Sequence, residues 1–153
     1  MKIHEGCVWM LGEIMIQYGW LRWDQLDSAL AIQKENNRLV GIILVESGVV
    51  SRERLYRALA IQHGMKFVDI RQFSIPPQIV QAVPKRLAYE HRIMPLVRNE
   101  SFLIIAVQEP GKLWPEGEIK KIAQIQDVRA VLSFPEAVDE TIRQYYGPEG
   151  IAV

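Results

Sequence analysis

With 153 residues, 49% of them hydrophobic, the chain is long enough for one ordinary domain or two small ones with a real core, and extended disorder is excluded. Lys plus Arg and Asp plus Glu each number 18, so no global field draws the chain to nucleic acid or to an acidic membrane, and an anionic ligand must be held by local geometry. The single cysteine, Cys7, excludes an internal disulfide and a cysteine-rich zinc site and suits a reducing cytosol.

The opening "MKIHEGCVWM" has one lysine, then an acidic residue, and no apolar core, so it lacks the layout of a secretory leader. The longest apolar runs, "LVGIILV" and "FLIIAV", fall far short of the roughly 20 residues needed to cross a bilayer. The expected location is the cytoplasm.

From Met10 the chain writes one pattern twice. Residues 10–33 align with 39–62 at a constant offset of 29 (41 minus 12), without a gap and with nine identities. These are Gly12 with Gly41, Ile14 with Ile43, Gly19 with Gly48, Leu26 with Leu55, and the run Ala29 to Gln33 with Ala58 to Gln62. Two copies are too few for a solenoid, so the pair should close on itself as a compact pseudo-symmetric unit. In each copy, apolar residues at helical spacing lead to Gly19 or Gly48, which reads as a short helix with a C′ glycine. A longer helix follows, with Leu26, Leu30 and Gln33, or Leu55, Leu59 and Gln62, on one stripe. Ser51 is a good N-cap, whereas its counterpart Arg22 is not. The linker "KENNR" should join the copies as a turn, and Gly64 should close the fourth helix.

After Gly64, "MKFVDI" is strand-like, and "SIPPQIVQAVPKRLAYEH" carries prolines at N1 positions of short helices. "RIMPLV" and "SFLIIAV" predict a hairpin turned at "RNE". A loop and helix over "EPGKLWPEGEIKKIAQIQ", a strand at "VRAVLSF" and an amphipathic helix from Pro135 to Tyr146 closed by Gly147 complete the chain. The expected fold is α+β: a duplicated helix-pair N-terminal half, residues 1–64, packed on a small α/β-type C-terminal half with a short sheet, residues 65–153.

No phosphate loop, nucleophile elbow or H-E-x-x-H helix is present, and His4, His63 and His91 have no partners at metal-ligand spacing. No catalytic residue, metal or resident cofactor is therefore expected. The Trp9, Trp20 and Trp23 cluster suits either a core or partner contact or a stacking surface for a base.

The doubled motif with its five-residue spacer, continued by "GMKFVDI", "VPKRLAYEHRIMPL", "FLIIAVQEP" and "TIRQYYG", resembles the MshEN domain, the N-terminal domain of type II secretion and type IV pilus assembly ATPases. The resemblance runs from about Leu11 to Gly147. It implies a non-catalytic regulatory or docking domain that can bind cyclic di-GMP and that meets a secretion or pilus platform protein or the ATPase itself. The candidate contacts it carries over are Met10, Leu11, Gly12, Gly19, Leu26, Leu30 and Gln33 in the first copy. In the second they are Arg38, Leu39, Val40, Gly41, Gly48, Leu55, Leu59 and Gln62, and Glu109 stands downstream.

The physics of such a site can be read from the residues. Cyclic di-GMP is nearly two-fold symmetric, so a duplicated element can offer each half the same contact. Gly12 and Gly41 near helix starts allow close backbone approach and suit a phosphate. The leucine stripe offers an apolar wall for purine faces, and Gln33 and Gln62 have both donor and acceptor for a base edge. The same leucines equally suit helix packing, and the glutamines equally suit bracing between copies.

The family opens each copy with Arg-Leu-Gly, whereas the chain has Met10, Leu11, Gly12 and Leu39, Val40, Gly41. Arg38 lies one residue early, and Glu109-Pro110 stands for the family's Asp-Pro. Each lost charge-assisted hydrogen bond costs about 1.5–3 kcal/mol. Two classes of function remain from the sequence: a sensor of cyclic di-GMP, and a protein adaptor in which the motif only holds the fold.

Overall fold

The computed structural model describes residues 11–150, and its contacts cluster into two units, Met1–Gly64 and Met65–Val153. In the first, the described part of α1 covers residues 11–17, followed by α2 (Trp23–Asn36), α3 (Val40–Glu46) and α4 (Arg52–Gln62). The four helices and their pairing into short and long members follow the doubled sequence. Gly19 and Gly48 close the short helices at φ of 76° and 77°, a region that only glycine enters without steric cost. The Ser51 hydroxyl accepts from the Arg54 amide at 3.2 Å, the expected cap. At the equivalent end of α2 the Gln25 side chain accepts from the Arg22 amide at 2.9 Å, so the donor is satisfied although Arg22 offers no capping oxygen.

One boundary differs from the sequence reading. Helix α2 runs on through Lys34, Glu35 and Asn36, so the turn between copies is confined to Asn37, Arg38 and Leu39. Lys and Glu are good helix formers, and the chain stops only at Asn37, which adopts φ 58° and donates its amide to the Gln33 carbonyl at 2.8 Å.

The core of this unit repeats as the sequence does. Leu11, Met15, Leu21, Leu26 and Ala29 are buried, and so are their counterparts Val40, Leu44, Val50, Leu55 and Ala58. Ile43 is buried, while its counterpart Ile14 and the pair Leu30 and Leu59 are partly covered at the margin.

The second unit begins with a 3-10 turn (Ile70–Gln72), followed by α5 (Pro77–Val80), α6 (Lys85–His91), β1 (Ile93–Arg98), β2 (Phe102–Val107), α7 (Glu116–Ala123), β3 (Asp127–Leu132) and α8 (Pro135–Tyr146). Strands β1 and β2 form the expected antiparallel hairpin, with Asn99 Oδ1 accepting from the Ser101 and Phe102 amides at 2.7 and 2.8 Å to shape its turn. Pro95, which has no N–H to give to a ladder, sits in edge strand β1, beside a register shift between Pro95 and Val97. Strand β3 joins β2 in parallel, and α7 is the crossover that such a connection needs.

Two local expectations change here. The run "MKFVDI" makes only a single parallel bridge, Phe67 with Leu132, because Asp69 turns the chain by accepting from the Arg71 amide at 3.2 Å. Pro84 is the N-cap of α6 rather than its first helical residue, whereas Pro77 and Pro135 do open α5 and α8. Helix α8 buries Ala137, Val138, Thr141 and Ile142. Its Tyr145 hydroxyl accepts from the Ile75 amide at 3.0 Å, and the Tyr146 hydroxyl lies 2.7 Å from the carbonyls of Val80 and Val83. These contacts tie the segment around α5 to α8.

Candidate functional site

The candidate residues of the doubled unit fall into two layers. Leu26 and Leu55 are 0% and 9% exposed, and each fills the space beside the glycine of its own copy. A Cβ built on Gly12 would lie 2.7 Å from Leu26 Cδ2, and one on Gly41 would lie 2.8 Å from Leu55 Cδ1. The glycines thus let the long helix press against the short one, and Leu11 and Val40 are buried beside them. Of the leucines that the sequence left open between ligand wall and packing, this pair packs.

The second layer meets solvent. Leu30 and Leu59, one turn further along α2 and α4, lie at the core margin, and Gln33 and Gln62 are half-buried a turn beyond them. Gly19 and Gly48 are exposed at the helix ends. At the start of α3, Leu39 is 68% exposed and Ile42, three residues on, is 42% exposed. Arg38 reaches along the helix to Glu46, with Nη2 2.6 Å from Oε2. Sequence reading did not find Glu46, since Arg38 lies outside the helix and the helical i, i+4 rule does not link the two. Met10 lies outside the described residues, and Glu109 is an exposed residue of the second unit.

In the first unit, Arg22 and Asp24 favour each other's charged form. Their hydrogen bond, Nε to Oδ1 at 3.1 Å, holds the Asp24 carboxyl below its usual range and the guanidinium above its own. Among the described residues no group of three or more His, Cys, Asp or Glu side chains could hold a metal ion, and no helix is long and apolar enough to cross a membrane. The paired solvent-facing layer therefore offers apolar surface and neutral amides, twice over.

A family model for the MshEN domain matches residues 63–152. The chain belongs to the MshEN family. The matched span is the second unit, whereas the doubled helices that carry the motif precede it. Broader similarities take in both. The type IV pilus assembly ATPase PilB of Myxococcus xanthus is 26% identical over 140 residues, 92% of this chain and 25% of that protein. This MshEN chain thus spans about a quarter of that relative's length. A bacteriophage adsorption protein B of Escherichia coli is 31% identical over 99 residues, 65% of this chain and 13% of that protein. Among solved structures, MshE with cdg, cyclic di-GMP, superposes with a TM-score of 0.69 at 24% identity, covering 89% of this chain and 98% of that one. At that identity the likeness shows the fold, a mixed α+β arrangement that this chain shares.

Proposed function

We propose that this MshEN chain is the regulatory and docking module of a larger protein, and that its four-helix unit takes cyclic di-GMP across the two copies. The observation that carries the reading is the paired outer layer: Leu30 with Gln33 and Leu59 with Gln62 stand at equivalent positions on α2 and α4, all partly open to solvent. The leucine faces would lie against the purines, and the two carboxamides, each donor and acceptor, would meet the base edges or sugar-phosphate oxygens. A ligand made of two like halves gains the same contact from each copy. The MshE structure with cyclic di-GMP, built on the same fold, supports the choice of ligand. The chain's own part is binding and transmission rather than catalysis, a reading supported by a sequence without phosphate loop, nucleophile elbow or H-E-x-x-H helix.

Without arginines at positions 10 and 39, affinity rests on the two carboxamides and apolar contact, in the micromolar range of about −8 kcal/mol. Calorimetric titration of Gln33→Ala and Gln62→Ala tests the pairing. Each single change should weaken cyclic di-GMP by a similar factor, and a change that matters in one copy only would argue against a shared site.

A second reading has its own observation. Leu39 and Ile42 form an apolar step at the start of α3, where the family motif carries an arginine, and Arg38 is already engaged by Glu46. Such a surface suits docking to a secretion or pilus platform protein with no nucleotide involved. The relatives fit a module carried by different parents, one named a pilus ATPase and one a phage adsorption protein. Failure of both the natural chain and Leu39→Arg to bind the dinucleotide would favour this reading.

A further inference from the structure

Duplication accounts for the core of the first unit, and among the positions where the copies differ is one group of aromatic residues. Tyr18, Trp20 and Trp23 stand where the second copy has Ser47, Val49 and Arg52, and Arg54 stands where the first copy has Gln25. Tyr18, Trp20 and Arg54 meet in space. The Tyr18 and Trp20 rings stack with centroids 4.9 Å apart at 22°, and the Arg54 guanidinium lies 5.7 Å from the Trp20 centroid. An aromatic pair from one copy and a cation from the other thus form one surface that occurs once. Trp20 lies partly buried against the core, while Tyr18 beside it is 54% exposed and Trp23, at the start of α2, is 52% exposed.

Its charge is also local. Residues 18–24 and 51–57 hold Arg22, Arg52, Arg54 and Arg57 against Asp24 and Glu53, a net +2 (4 minus 2) in a chain whose formal charge is zero. From this we infer that the α1–α2 loop and the first turn of α4 form a peripheral contact with an anionic lipid surface. Trp and Tyr have amphipathic rings that settle at headgroup depth, and guanidinium groups pair with phosphates there. An acidic peptide would answer the arginines and leave the half-exposed rings in water, whereas the bilayer interface takes both at one depth. The contact uses none of the side chains assigned to the dinucleotide, Leu30, Gln33, Leu59 and Gln62.

The second copy supplies substitutions that the fold already accommodates at equivalent positions: Tyr18→Ser, Trp20→Val and Arg54→Gln. The test is flotation of the full chain with phosphatidylcholine vesicles, with and without 25 mol% phosphatidylglycerol (about one lipid in four, so that each Arg contact is felt). The natural chain should float with the anionic vesicles only, and less as salt is raised. Arg54→Gln alone should lower the partition coefficient about fivefold, the effect of one arginine near such a surface, and the ring substitutions should lower it further. Thermal melting of each variant separates loss of the surface from loss of the fold, and Glu13→Gln, at an exposed position outside the patch, serves as the folded control. Flotation that is absent, equal on neutral vesicles, or unchanged in the folded triple variant overturns the inference. Absence of flotation would leave a protein partner as the occupant.

Discussion

Leu55 occupies the room that a side chain on Gly41 would need, its Cδ1 lying 2.8 Å from the built Cβ, and Leu26 meets Gly12 in the same way at 2.7 Å. The same approach in both copies explains why the doubled sequence keeps this glycine and this leucine fourteen residues apart. Gly41→Ala forces Leu55 aside at about 1–3 kcal/mol, against a helix-propensity gain of at most about 1 kcal/mol, so the variant should be less stable by about 1 kcal/mol. Denaturant unfolding of Gly41→Ala, Leu55→Ala and the pair should show coupling, with the alanine at 41 costing less once Leu55 is shortened.

The leucines should divide by layer. Leu26→Ala, at a fully buried site, should cost about 3–5 kcal/mol. Leu30→Ala and Leu59→Ala remove partly covered side chains and should cost only about 1 kcal/mol. The outer pair should therefore weaken ligand binding in proteins that still melt near the natural temperature.

Among the described residues, three helices end on non-glycine residues with left-handed backbones: Asn37 at φ 58°, Arg92 at 51° and Gln124 at 55°. The Gln124 amide donates to the Lys120 carbonyl, a contact that glycine would keep. Gln124→Gly should stabilise by up to about 1 kcal/mol, and Gln124→Val should destabilise by more. Arg92→Gly should show no such gain, since Arg92 Nη1 meets Asp139 at 3.3 Å and its guanidinium covers the Tyr89 ring at 5.6 Å. Melting temperatures of the three variants check the contrast.

Burial raises the Tyr146 pKa above its ordinary value of 10.0. A raised folded-state value means that the protonated phenol belongs to the native state. Its contribution is complete below about pH 10 and is lost as pH rises beyond the unfolded-state value. Unfolding free energy measured from pH 8 to 11.5 should fall at the alkaline end in the natural chain and less steeply in Tyr146→Phe. At pH 7 that variant should be less stable by about 1–2 kcal/mol, having lost its hydrogen bond to the Val80 or Val83 carbonyl.

Much of this fold could be read from local rules because its elements obey them. Gly19 and Gly48 stop helices, Ser51 caps one, and Pro135 and Gly147 bracket α8 in the structure as in the sequence. Contacts between elements were less legible. Periodicity marked Leu26 and Leu30 as one stripe, and only the packing against Gly12 separates a core leucine from a marginal one. The stop at Asn37 was missed because its helix continues through polar residues that carry no breaker, and the bend at Asp69 because a side-chain hydrogen bond overrode strand propensity. The Arg38 to Glu46 pair and the Arg54 to Trp20 contact follow no sequence spacing at all.

Calorimetric titration of the full natural chain with cyclic di-GMP at low salt, beside Leu39→Arg, tests most directly whether the doubled helices form a dinucleotide site. One dinucleotide per chain should bind the natural protein at micromolar affinity, and Leu39→Arg should bind it more tightly, because a guanidinium joins the start of α3. An absence of binding heat from both proteins, with their folds intact by melting, would contradict it.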